Sequence, residues 1–388
     1  MKYLTKTIVI LSIISMMTDI SSEMLYPILP MFLKSIGFSV LWIGILEGFA
    51  EAIAGFSKGY FGRMSDKIGK RVPFVRIGYT LSSISKPLIG LFATPVIVFF
   101  LRTMDRLGKG VRTAARDAIL SSETTKEFKG RVFGFHRAFD TLGAAIGPIL
   151  ALIYLYYYPE NYVTLFILAF IPGLIGILFT FFLKDKKSIE ITNNHTKTKF
   201  LEFLSYWKKS SKNFKKTVIG LIVFTAINSS DMFLLLLVKH HGLSDSTVIT
   251  LYIFYNLVYA LFSAPMGWLG DKIKLKNSLI LGIFLFSIVY IFIPFVSSEW
   301  LYYLLFSVYG IAISAIEGNS KALISNIASK EETATAIGFL TSFQSLATLL
   351  ASSIAGILWS AINPTAPFLL SGIVAFLCSV YFLFVKIK

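Results

Sequence analysis

The stretch GRMSDKIGKR at positions 62–71 lies between two long apolar runs. It sets five charges (Arg63, Asp66, Lys67, Lys70 and Arg71) in a tight turn that holds two glycines, Gly62 and Gly69. A segment so placed reads as a short loop at a membrane surface. A weaker copy follows: Gly267, Asp271, Lys272 and Ile273 match Gly62, Asp66, Lys67 and Ile68 at one offset (271 − 66 = 205). An internal repeat governs the fold before any local feature does. It predicts two like halves, each with a basic loop after its second apolar segment.

Composition agrees with a membrane setting. The chain has 388 residues, 55% of them hydrophobic, with a mean hydropathy of +0.72. Soluble domains average about 45–50% apolar. The formal charge of +16 would ordinarily point to nucleic acid. Here the basic residues collect in loops, so the charge reads as topology, and no nucleic-acid partner is expected. The single cysteine, Cys378, lies in an apolar run, which excludes an internal disulfide and any Cys-based metal site. Lys2 and Lys6 ahead of the apolar residues 8–17 resemble the start of a signal peptide. The apolar character resumes at 24–33 without a small-residue cleavage site, so a retained first helix is expected.

Twelve apolar segments follow, at roughly 7–33, 41–61, 73–92, 95–118, 132–156, 162–183, 217–238, 246–268, 277–297, 300–324, 335–360 and 366–385. Each is long enough to span a hydrocarbon core of about 30 Å. The loops of one set hold Lys2, Lys6, Arg63, Lys67, Lys70, Arg71, Lys126, Lys129, Arg131, Lys272, Lys274, Lys276, Lys330, Lys386 and Lys388. The other set holds Lys34 and Lys239. This asymmetry places both termini on the cytoplasmic side of a multi-pass protein of the plasma or inner membrane. Residues 1–183 and 217–388 are then two six-helix bundles, joined by a basic linker at 184–216 with ten lysines and three acids. Phe200, Phe203, Leu204, Trp207 and Phe214 recur there at near-helical spacing among lysines, which predicts an amphipathic helix on the cytoplasmic face of the lipid bilayer.

The 62–71 loop resembles the signature between the second and third helices of the major facilitator superfamily, roughly G-x-L-A-D-R-x-G-R-K. The resemblance implies an all-α membrane protein with twelve transmembrane helices in two pseudo-symmetric six-helix bundles. It also implies a conformational latch of Gly62, Asp66, Gly69 and Lys70, with Asp66 as acceptor and Lys70 paired to Asp117. The fourth segment, RTMDRLGKGVRTAARD at 102–117, resembles the family's fourth-helix motif through Arg102 and Gly108. Arg102, Arg106 and Lys109 share a helical face. Arg102, Asp105 and Arg106 are the substrate-cavity candidates, whereas Arg112 and Arg116 are expected to snorkel to headgroups or pair with carboxylates. The fifth segment carries Gly143, Gly147 and Pro148 and resembles the family's antiporter-associated motif, G-x-x-x-G-P-x-x-G-G. Its glycines form a close-packing face, and Ala347 and Ala351 stand at the matching positions of the second half. The stretch from Asp19 to Pro27 and that after Asp105 look like those of a prokaryotic subgroup of the same superfamily.

Carboxylates inside apolar segments can carry protons as a cavity opens to alternate sides. Asp19 and Glu23 share a face one turn apart, as do Glu47 and Glu51. Together with Asp140 and Asp231 they are the proton-coupling candidates. Glu317, Lys321, His136 and Arg137 add charge elsewhere. Pairwise neutralisation, Glu51 with Lys58 or Asp140 with Arg137, is the competing account. His240 and His241 have no third ligand, so no metal and no cofactor are expected. The Gly-Lys pairs lack the rest of a phosphate-binding loop, and no catalytic constellation is present, so an enzyme is not expected. A monomeric secondary transporter of a small-molecule substrate, driven by a proton or other ion, fits best. The helix-five motif favours export of a small organic compound, and the cationic fourth segment favours uptake or exchange of an anion. A sensor or a membrane enzyme fits less well.

Overall fold

The computed structural model describes residues 4–26, 28–185, 199–228 and 231–386. It is all-helical, with no strand among the described residues. The first half runs α1 (Lys6–Glu23), α2 (Leu29–Ser35), α3 (Val40–Ile68), α4 (Val72–Leu91), α5 (Pro95–Ser122), α6 (Lys129–Tyr157), α7 (Tyr162–Leu168) and α8 (Phe170–Thr180). The second half runs α9 (Tyr206–Lys209), α10 (Lys212–Ile227), α11 (Asp231–His240), α12 (Asp245–Ile273), α13 (Leu275–Phe292), α14 (Glu299–Ile327), α15 (Thr333–Ala361) and α16 (Ala366–Phe384). With α1 and α2, α7 and α8, and α10 and α11 taken as pairs, and α9 left to the linker, these make twelve membrane segments. Among the described residues, α6, α7 with α8, and α12 to α16 are each long and apolar enough to cross a bilayer unaided. The remainder are broken within the segment or interrupted by polar and charged groups. In the first half these are α1 with α2, α3, α4 and α5, and in the second α10 with α11.

Helix ends follow ordinary capping chemistry. Ser39 caps α3 by accepting from the Trp42 amide, and Ser244 caps α12 by accepting from that of Thr247. Proline opens α4, α5 and α16, where a missing N–H costs nothing. Gly69 ends α3 in the left-handed region, φ +69°. The repeat equivalent is Lys274 (274 − 69 = 205), and it too has a positive φ, +78° with ψ 136°. A side chain is strained in that conformation, so the second copy keeps the turn but lacks the glycine that suits it.

The chain divides into two compact units. The first comprises Met1–Glu123, Phe139–Lys208 and Ser329–Ser342. In it α5 packs against both α3 and α4, and α8 packs against α1 and α4. The second comprises Thr124–Ala138, Lys209–Ala328 and Phe343–Lys388, with α14 packed on α12 and α13, and α13 on α16.

The linker departs from the expected amphipathic helix. Residues 186–198 lie outside the described residues. The rest is split into a 3-10 turn (Glu202–Ser205), the single-turn α9 and the start of α10, which Ser211 caps. Its aromatic residues do not share one lipid-facing stripe, because several are buried in protein. Phe203 is 1% exposed. Its ring fills the space at Gly59, where a Cβ would stand 2.5 Å from it. Trp207 stacks on Phe339, with ring centroids 5.8 Å apart. Glu202 fixes the turn electrostatically: its carboxylate accepts from Lys67 at 2.7 Å and lies 3.5 Å from Arg63. Partial burial opposes its charge, but the Lys67 and Lys199 hydrogen bonds and the two cations hold it below the usual carboxylate range.

Candidate functional site

Two features stand out inside the first unit: the contact of α3 with the first turn of α15, and a charged cavity enclosed by α1, α4 and α5.

Asp66, at the end of α3, is 7% exposed. Its Oδ2 accepts from the backbone N–H (2.7 Å) and the hydroxyl (2.8 Å) of Thr335, in the first turn of α15. Its Oδ1 accepts from Arg71 at 2.9 Å. A carboxylate so placed satisfies free N–H groups at a helix N-terminus and meets the positive end of its dipole. Arg71 also donates to the Lys330 carbonyl at 3.2 Å, and Arg63 reaches Glu332 at 3.1 Å. The second unit contains the repeat of this arrangement. Asp271 accepts from the N–H groups of Gly130 (2.7 Å) and Arg131 (2.9 Å), in the first turn of α6. The glycines match as well. A Cβ on Gly62 would stand 2.6 Å from the Ala334 carbonyl, and one on Gly267 would stand 2.1 Å from that of Gly130. Backbones in such contact admit no side chain, which is the physical reason for glycine at both places.

Two expected latch members are not brought together. Lys70 is exposed, and Arg71 supplies the cation on Asp66. Asp117 is fully buried and binds its neighbour Arg116 at 2.9 Å. The reason is geometric: α3 ends at Gly69, the turn sends Lys70 outward, and Arg71, at the start of α4, points back to Asp66.

The cavity has a volume of about 50 Å³, room for a few waters. Asp19, Glu23 and Asp105 line it together with Lys86, Arg102, Arg106, Lys109 and Arg112, and Leu25, Leu29, Ile89 and Phe166 give it an apolar side. Arg102 donates to both oxygens of Glu47 at 2.7 and 3.0 Å and to Asp105 at 2.8 Å. Arg106 lies 3.4 Å from Glu51 and 3.9 Å from Glu47. The charges of these two cavity arginines are thus met by α3. Glu51 is also 4.0 Å from Lys58, the neutralising pair expected above. Arg112 and Arg116 do not snorkel. They are 4% and 7% exposed, because α4 and α5 approach so closely at Gly78 and Gly108 that Arg112 is enclosed between them.

Lys86 is the residue that sequence reasoning missed. It is 2% exposed, its ammonium donates to the Ser82 carbonyl at 2.9 Å, and it lies 3.6 Å from Asp105. Ser82 also donates its hydroxyl to Asp105. The available signal was a lysine in the middle of an apolar run, an expensive placement unless it is used or paired.

The helix-five glycines meet the helix-one carboxylates. A Cβ on Gly143 would stand 2.5 Å from the Met16 carbonyl and 3.1 Å from the Asp19 Cβ. One on Gly147 would stand 2.8 Å from the Ile20 carbonyl and 2.9 Å from the Glu23 Cβ. Pro148 follows within α6. Asp140 stands three positions before Gly143 on α6, so this approach sets it beside α1. Asp140 also accepts from the Ser15 hydroxyl and lies 3.8 Å from Arg116. Arg137 donates from its guanidinium to the Tyr259 hydroxyl within the second unit. Asp231 is also in the second unit, where it accepts from the Tyr309 hydroxyl at 2.6 Å. Asp19, Glu23, Glu47, Glu51 and Asp140 therefore share one charged network, and Asp231 belongs to another.

Comparison with known proteins agrees with this build. The family model for the Major Facilitator Superfamily matches residues 11–253 and 217–388. An MFS-type transporter of Methanocaldococcus jannaschii, MJ1317, is 36% identical over 98% of this chain and 95% of its own. The multi-drug resistance efflux pump PmrA of Streptococcus pneumoniae is 27% identical over 35% of this chain and 34% of its own. The crystal structure of the human organic anion transporter MFSD10 superposes with a TM-score of 0.81 at 14% identity, covering 98% of this chain and 100% of that one. With the repeated helix-end contacts, the twelve segments and these matches together, the chain belongs to the Major Facilitator Superfamily and is a multi-pass membrane transporter, not an enzyme.

Proposed function

We propose that the protein moves a small solute across the membrane by alternating access, coupled to protons and in the direction of export. The observation that carries the coupling is the close approach of α6 to α1, which sets Gly143 and Gly147 against Asp19 and Glu23 and joins Asp140 to Ser15. Glu23, one turn from Asp19, faces the same cavity. A proton held here sits where a change in the packing of α1 against α6 would alter its surroundings. Export is supported by the glycine-proline motif of α6 and by the partial likeness to an efflux pump. Asp66 and Asp271 act as latches on the first turns of α15 and α6.

The test is ΔpH-driven flux in proteoliposomes, together with equilibrium binding. Glu23→Gln keeps the shape and hydrogen bonding of the side chain but cannot cycle a proton. It is expected to abolish ΔpH-driven transport while binding is retained. Asp19→Asn should do the same or also weaken binding. Both variants transporting at the wild-type rate, with the wild-type pH profile, would remove the coupling role.

The proposed topology puts both termini and the 184–216 linker on the cytoplasmic side, with the protein acting as a monomer. Reporter fusions after Lys34 and after Lys209 should report opposite sides. Matching signals would rule this orientation out. Anion transport is the second reading, and the cavity's cations favour it.

A further inference from the structure

When the charges around the cavity are paired off, a remainder is left. Arg102 is held by Glu47 and Asp105, Arg106 by Glu51, and Lys86 by Asp105 and the Ser82 carbonyl. Lys109 and Arg112 form no ion pair among the described residues. Three positions apart on α5, they are neighbours on the helix surface. Arg112 is 4% exposed, and its guanidinium lies 4.4 Å over the ring of Tyr79. Its Nη1 is buried without a hydrogen-bond acceptor among the described residues. The ring offsets part of the cost of leaving water, but the N–H itself goes unpaired, and native structures rarely leave one so. Lys109 opens into the same cavity, and no acceptor meets its ammonium among the described residues.

We propose that Lys109 and Arg112 are the anchor for an oxyanion on the transported solute, a carboxylate carrying one negative charge. This rests on the reading of the cavity as the solute's path. A carboxylate between them would give Nη1 its missing acceptor and make charge-assisted bonds to both cations. Leu25, Leu29, Ile89 and Phe166 would receive the apolar body. A single charge fits better than two, because Glu23 and Asp19 face the same space and would repel a dianion. The anchor thus differs from the pair that the sequence pointed to. Arg102 and Arg106 line the cavity, but their charges are already met.

The experiment uses the full-length protein in phosphatidylcholine nanodiscs, titrated calorimetrically with acetate, propionate and benzoate, and with the neutral isostere benzamide. Saturable binding of at least one carboxylate, and none of benzamide, is expected. Lys109→Gln and Arg112→Gln should each weaken it tenfold or more. Lys109→Gln keeps the test sound if loss of Arg112 impairs folding, since Lys109 makes no ion pair or hydrogen bond through its side chain among the described residues. No saturable binding by any carboxylate, or binding unchanged in both variants, would overturn the anchor. So would a result in which phosphatidylglycerol nanodiscs abolish carboxylate binding and this lipid is retained through Lys109, since the occupant would then be a headgroup. The two readings fail separately. Flux that survives both substitutions with an unchanged KM removes the anchor and leaves transport standing. Binding that depends on Lys109 without any solute flux removes the transport reading and leaves the anchor.

Discussion

Asp105→Asn is expected to destabilise the protein by about 3–5 kcal/mol, the cost of removing one partner from a buried ion pair. Asp105 is 6% exposed and is the only carboxylate within ion-pair distance of Lys86 among the described residues. It also receives a hydrogen bond from Arg102. With its charge gone, Arg102 keeps both bonds to Glu47. Lys86 keeps only the Ser82 carbonyl. The damage should therefore fall on the ammonium, and Lys86→Met should repair most of it. Thermal denaturation in detergent of both single variants and the double variant measures this directly as a coupling energy. A double variant whose loss is the sum of the single losses would mean that Lys86 and Asp105 are not a stabilising pair.

Asp66→Asn is expected to release the first turn of α15 from α3 while insertion and folding are retained. Asparagine keeps one acceptor and loses the charge. It can satisfy Thr335 or Arg71, but not both as the carboxylate does. Losing a hydrogen bond to a charged group costs about 1.5–3 kcal/mol, which shifts a two-state equilibrium roughly tenfold to a hundredfold. Distances between spin labels on the ends of α3 and α15 should lengthen in a matching fraction of molecules. Thr335→Val removes only the hydroxyl bond and should shift the population less. An unchanged distance distribution in Asp66→Asn, alongside normal transport, would take the latch role away from Asp66.

The repeat was legible because its elements are local. Asp66 and Asp271 each follow a glycine by four positions, and the structure places each on the first turn of a helix elsewhere in the chain. The twelve segments were legible for the same reason, since apolar length is read along the chain. The partners inside the charged network were not. Whether Arg112 reaches a headgroup or lies buried depends on how close α4 comes to α5, which Gly78 and Gly108 set together from different helices. Lys70 was expected to meet Asp117, but the direction of the chain after Gly69 turns it outward and turns Arg71 to Asp66. Asp140 invited a pairing with Arg137 by proximity in sequence, whereas its contacts to Ser15 and Arg116 come from α1 and α5, which no local reading brings together. The linker aromatics read as one stripe because a helix was assumed to continue through Ser210 and Ser211, where the structure starts a new one.

The network bears on how the chain enters the membrane during synthesis. α5 carries Arg102, Asp105, Arg106, Lys109, Arg112, Arg116 and Asp117. Each charge placed alone near the bilayer centre costs about 2.5–3.5 kcal/mol on the insertion scale. Helix α5 leaving the translocon by itself would be driven back to water. Its counter-charges precede it in the sequence, Glu47 and Glu51 on α3, while Lys86 on α4 awaits Asp105. Pairing with α3 and α4 lowers that cost, so entry of the three helices as a group is favoured over entry of α5 alone. The order in which the ribosome delivers these helices is part of what makes so charged a segment insertable.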